Sequence, residues 1–345
     1  MIDFRYHLVS IVAVFLALSL GLLLGSTTLQ PYVQRGLQGL SKAEQRQIDT
    51  LLGEKHQLQS QISSENQFAL ANAPTMLHHV LAHQRVVLVL APGAPGSVTN
   101  GVSQALNTAG AKITGSLQLE PAFFDTTAAA SQKLSQVAQQ LALSAGVILA
   151  GTAQGQASEL LAHVIMTKAS TGQPVPGQRD PVSVQAVQGL AGGGYLTKSG
   201  QPWDRATLAV VIIPATPPST DDSNAESQAL VTLAQQLNLA GQGTVVAGTV
   251  AGSQAGSAID VMRSGGRAGH LSSVDNADYP IGQIVVAQAL ADRHYGRSGS
   301  YGVTSTASAA GPSPPPSPAP TKSPAIQGTA STRTGRSGPA GTATP

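Results

Sequence analysis

The chain has no cysteine among its 345 residues, which excludes disulfides and thiolate metal sites. Charged residues make up only 10 % and the net charge is +2, so there is no basic footprint for nucleic acid. Aromatics are scarce at 3 %, which argues against a core built on large rings. Catalytic signatures are missing as well. No Gly-x-Ser-x-Gly, His-Glu-x-x-His or Ser/His/Asp grouping is present, and we expect no enzymatic activity. The segment Ala91-Pro-Gly-Ala-Pro-Gly-Ser lacks the Gly-x-Gly-x-x-Gly spacing. Its two prolines each remove a backbone donor, so it is no phosphate loop.

What is present begins at the N-terminus. Leu8 to Gly25 carries no charge, and Ser10 and Ser19 are its only polar side chains. At about 1.5 Å per residue, 18 to 19 residues span roughly 28 Å, close to the hydrocarbon thickness of a bilayer. Gly25-Ser-Thr is a poor signal-peptidase site, so residues 1–27 are expected to stay as a transmembrane anchor. Ala17, Gly21 and Gly25 recur every four residues and form a small-residue face that suits close helix packing. Arg5 precedes the helix while Arg35 and Lys42 follow it, so charge does not orient it. The short N-terminus and long polar remainder favour a single-pass cell-membrane protein with an extracytoplasmic body.

Residues 28–75 form a predicted stalk. Leu37, Leu40, Glu44, Ile48, Leu51, Lys55, Leu58, Ile62 and Glu65 follow three- and four-residue spacing, a coiled-coil seam with one stutter. The alternative is a single amphipathic helix packed on its own domain. A homodimer is expected from the seam and the preceding membrane helix. Pro74 is expected to end or kink the helix.

Residues 76–297 are expected to be one doubly wound, mostly parallel α/β domain. Arg85–Pro92, Gly146–Ala150, Ala206–Pro214 and Gly243–Val250 are unbroken apolar runs, the pattern of strands buried on both faces. Ile113–Leu119 and His270–Val274 are further strands. Helical segments at 97–108, 130–144, 154–169, 223–240 and 280–293 alternate with them, as a parallel sheet requires. Residues 171–205 read as an irregular insertion with a short strand near Tyr195. Residues 298–345 hold nine of 22 prolines and three charges, Lys322, Arg333 and Arg336, and are predicted to be a disordered Pro/Ser/Ala/Thr-rich tail.

Two constellations are candidates for chemistry. Met76, His78, His79 and His83 offer a thioether and imidazoles, ligands that suit copper, with His79 and His83 four residues apart on one expected helix face. The alternative is a polar cluster at the stalk–domain junction. Asp275, Asn276 and Asp278 lie between a strand and a helix, where loops form a ligand or partner crevice in parallel sheets. The alternative is helix capping ahead of Pro280. Asp260 and Arg263 are expected to be solvated.

The opening Phe4-Arg-Tyr-His-Leu-Val-Ser-Ile-Val-Ala-Val-Phe-Leu-Ala-Leu-Ser-Leu-Gly-Leu-Leu-Leu-Gly-Ser closely resembles that of the MctB copper-transport family of actinobacteria. Ser273-Val-Asp-Asn-Ala-Asp, Gly282-Gln, the Leu290-Ala-Asp helix and Tyr301-Gly-Val resemble it too. The resemblance implies copper transport or efflux and copper homeostasis in the cell envelope, with copper as the metal involved. The residues themselves imply no resident cofactor. A transmembrane β-barrel fits poorly, because the predicted strands are short, continuous and interleaved with helices. The alternative function is a non-enzymatic dimeric scaffold or regulator of cell-wall or septal machinery, with envelope proteins as partners.

Overall fold

The computed structural model describes residues 4–170, 175–216, 222–265, 270–313 and 341, with the side chains of 4, 5, 26–43, 222 and 223 left aside. The chain divides into Met1–Pro312 and Ser313–Pro345. Residues 314–340 and 342–345, where most of the predicted tail falls, lie outside the described residues.

One helix, α1 (Phe4–Met76), carries both the predicted anchor and the predicted stalk. Its apolar stretch Tyr6–Gly25 is long enough to cross a membrane. Pro74 does not break the helix, which ends two residues later. Ile48, Leu51, Leu58 and Ile62 are all exposed, and Leu37 and Leu40 lie outside the described side chains. Among the described residues the helix meets the body at its end, where Ala69 and, just beyond the helix, Leu77 and Leu81 are buried with Val102, Leu106 and Ala287. Residues 44–65 are all exposed, so the stalk is not laid along its own domain there.

The body alternates strands and helices: β1 (Arg85–Leu90), α2 (Gly96–Thr108), β2 (Lys112–Leu119), α3 (Pro121–Phe124), α4 (Ala128–Ala145), α5 (Ala153–Ile165), α6 (Pro181–Gly192), β3 (Leu196–Gly200), β4 (Leu208–Ile212), α7 (Asp222–Ala240), β5 (Gly243–Ala247), α8 (Ala258–Ser264), β6 (Ser272–Val274), α9 (Pro280–His294) and β7 (Ser300–Tyr301). The seven strands form one sheet in the order β3-β2-β1-β4-β5-β6-β7. Every pairing is parallel except β2 with β3. The architecture is a mixed α/β sheet.

The unbroken apolar runs follow from burial on both sides. In β1, Val87 and Val89 enter one core, which α4, α5, α6, α7 and α8 cover. Val86 and Leu88 enter the other, covered by α2, α9 and the end of α1. Successive side chains of a strand point to opposite faces, so both parities must be apolar.

Four expectations fail in informative ways. Gly146–Ala150 is a loop, because Gly146 adopts φ 66° as the left-handed end of α4 and turns the chain away from the sheet. Ile148 is consequently 93 % exposed. The insertion 171–205 contains α6, whose start is marked by Asp180 accepting from the Val182 amide ahead of Pro181 at the first helical position. The helix predicted to reach 169 stops at Ile165, since Met166 is extended and bridges to Ala206. The folded chain also runs past 298. β7 extends the sheet, and Ser308 and Ala309 donate back to the Ser300 carbonyl.

Candidate functional site

The four copper-ligand candidates sit where α1 gives way to the body. Met76 is the last helical residue, and 77–83 form tight turns. Leu77 and Leu81 are the buried pins of this joint, and the Leu81 amide donates to the Ala109 carbonyl at 2.9 Å. That pinning forces the intervening residues outward. His79 and His83 take left-handed φ values of 56° and 65°, so they share no helix face, and the reason for pairing them is removed. His78, His79 and His83 are exposed, and His78 meets His79 edge-on at 4.0 Å between ring centroids. Among the described residues, no group of three or more His, Cys, Asp or Glu side chains converges as a metal-holding set.

The Asp275 loop is the opposite case, closed rather than open. Asp275 follows β6 and is fully buried. Its Oδ2 lies 2.7 Å from a guanidinium nitrogen of Arg263, whose side chain is 4 % exposed. Its Oδ1 accepts from the Val303 amide at 2.7 Å, and the Thr304 hydroxyl donates to Oδ2. Arg263 donates further to Ser273 Oγ, Thr306 Oγ1 and the Tyr301 carbonyl. The expectation that Arg263 is solvated is therefore wrong: a buried carboxylate fixed its partner. Asp260 is engaged as well, accepting from the Gly256 amide. Burial alone would raise the Asp275 carboxyl, but the bonds from Thr304, Arg263 and Val303 outweigh it and hold it below the usual range. Gly302, at φ 132°, packs so closely that a Cβ there would strike the carboxylate.

Asn276 and Asp278 do other things. The Asn276 carbonyl accepts from the Tyr279 amide, and Gly282 presses against it so tightly that any Cβ would overlap. The Asn276 Oδ1 is buried with no partner among the described residues. Asp278 is exposed, its carboxyl nudged upward by partial burial and by Asp275. Neither caps α9 by side chain: Tyr279 occupies the cap position without a capping bond. The loop is thus an anchor for residues 299–309, and Asp275 has no free face for a ligand. Arg263 and Thr304 were the residues missed. A lone arginine in a short helix was the only available signal.

The third candidate, Ala17, Gly21 and Gly25, lies on the exposed face of the apolar helix beside Val14, Leu18 and Leu22. A Cβ on Gly21 or Gly25 would meet nothing within 4 Å. The chain's own fold does not need glycine at either place.

Comparison with known proteins gives one consistent answer. A family model described as "Copper transport outer membrane protein, MctB" matches residues 1–312. The Copper transporter MctB of Mycobacterium tuberculosis (strain ATCC 25618 / H37Rv) is 30 % identical over 309 residues, covering 88 % of this chain and 96 % of its own. The Copper transporter MctB of Mycobacterium leprae (strain TN) is 31 % identical over 314 residues, with the same coverage.

Proposed function

The chain belongs to the family of copper transport outer membrane proteins, MctB, and we propose from this that it serves copper transport, in the direction of efflux, as a single-pass envelope protein. The observation that carries the reading is the match over residues 1–312, which takes in the apolar helix, the stalk and the Arg263–Asp275 network together. Copper is cargo in this account. The chain is non-enzymatic, and its sheet, flanked by helices on both sides, is a doubly wound scaffold.

The anchor would be Tyr6–Gly25, with the N-terminus inside and the body extracytoplasmic. A Gln132→Cys variant should then react with an impermeant thiol reagent on intact cells. The stalk would be a parallel coiled coil between two copies. Two features favour this: the exposed Ile48, Leu51, Leu58 and Ile62, and an anchor that holds every copy in one orientation. Met76, His78, His79 and His83 would at most make transient contacts with copper, and a dimer would double their number. The single helix offers little to line a pore. Ser19 donates to the Phe15 carbonyl at 2.7 Å, and a bare ion path through hydrocarbon is costly. Passage through the membrane would therefore depend on envelope partners.

The test is growth of a deletion strain on graded copper, zinc and nickel. Growth loss specific to copper, restored by the full chain, supports the reading. Normal copper tolerance with faulty cell separation and septal localisation would replace it with the cell-wall scaffold.

A further inference from the structure

The sheet order reverses between β1 and β4. From β1 the chain moves to β2 on one side, and β4 to β7 lie on the other. At such a reversal the loops leaving the carboxyl ends of neighbouring strands splay apart and leave a crevice. A cavity of about 370 Å³ lies there, within the range of small-ligand sites. Its lining comes from the segments that follow three adjacent strands: Pro92 after β1, Pro121, Phe124, Asp125 and Thr127 after β2, and Glu226 on α7 after β4.

The chemistry of this lining is one-sided. Among the described residues it holds two carboxylates and no cation. Asp125 is provided for: its Oδ1 accepts from the Thr127 amide at 2.9 Å, at the start of α4, and this keeps its carboxyl below the usual range. Glu226 is not. It is half-buried, burial pushes its carboxyl upward, and no hydrogen bond or opposite charge among the described residues offsets that cost. None of the ion pairs among the described residues involves either one. The rest of the described wall is two threonines and an apolar surface made by a phenyl ring and two pyrrolidines.

We propose that this crevice binds a small organic cation with an apolar body, its ammonium or amidinium group held by Glu226 with Asp125 alongside, and its body packed on Phe124, Pro92 and Pro121. The proposal does not rest on the copper reading. Two carboxylates and threonine hydroxyls are hard oxygen donors, a poor match to copper beside imidazole or sulfur. A flat cation on an aromatic and proline wall uses both the carboxylates and the apolar surface of the crevice.

The test uses the full chain in non-ionic detergent and benzamidine as the probe, followed by calorimetric titration. Saturable binding is expected. Glu226→Gln should weaken it by about tenfold, the worth of one charge-assisted contact. Asp125→Asn should weaken it less, and the neutral analogue benzamide should not bind. Thermal melting separates a binding role from a structural one. Because Glu226 has no partner to lose among the described residues, the ligand-free Glu226→Gln protein should melt no lower than the parent. Any of three results overturns the proposal: no saturable binding at about 10 mM probe, benzamide binding as well as benzamidine, or an affinity indifferent to Glu226→Gln. Displacement of the probe by micromolar magnesium or copper would also overturn it, by making the crevice a metal site.

Discussion

Asp275 has no exposed surface, yet it remains charged because five other groups, on Ser273, Tyr301, Val303, Thr304 and Thr306, are arranged around it and its partner Arg263. Removing one member of such a pair leaves the other buried and unpaired. Asp275→Asn should therefore cost about 3–5 kcal/mol in denaturant unfolding. The pH dependence has a definite sign. The unfolded carboxyl titrates near 3.9, and the folded one titrates lower. The stabilisation is thus complete above about pH 5 and is lost as pH falls below about 4, toward the folded value. The Asn variant should lack that acid-side slope. A variant as stable as the parent, with the same acid profile, would show that the network is incidental. Residue identities alone hinted at Asp275 through its place between a strand and a helix. They did not reveal Arg263, because a buried ion pair joins positions twelve apart in sequence and is visible only once β6 and α8 are packed.

At the scale of elements, the proposed dimer turns on the long helix. Gly25 and Ile48 are 23 positions apart. At about 100° per residue, the small-residue face and the stalk seam lie roughly 140° apart around a straight helix. Two straight parallel copies cannot use both faces at once. The seam is the longer of the two and carries the larger apolar side chains. Changing Ile48, Leu51, Leu58 and Ile62 together to Ser should abolish cross-linking of the stalk in membranes, while Gly21→Leu with Gly25→Leu should leave it. The reverse pattern would move the contact into the bilayer. Most elements were legible because their signals are local. Unbroken apolar runs marked β1, β4 and β5, and periodicity marked α2, α4, α7 and α9. α6 was missed although Asp180-Pro181 marks its start, since Gly and Gln obscured its apolar face. Gly146–Ala150 misled because four apolar residues look alike whether they enter a sheet or a loop.

At the scale of the whole molecule, an apolar helix, an exposed stalk and a two-sided α/β body are joined in one chain, and the same order holds across residues 1–312 of the family match. The joint is packed: Leu77 and Leu81 are buried in the core that α2 and α9 cover. The candidate site was the least legible part. The sequence placed three histidines and a methionine within eight residues, but their arrangement depends on where α1 stops, and that is set by the burial of two leucines rather than by the histidines. We propose that this chain, held in the envelope by its apolar helix, serves the movement of copper out of the cell together with envelope partners. The most direct measurement is cell-associated copper after a fixed load, by elemental mass spectrometry, in deletion cells carrying no chain, the full chain, or a chain whose residues 6–25 are replaced by a cleaved export signal. The account predicts copper retention in the first and third strains and parental copper in the second. Equal copper in all three would contradict it.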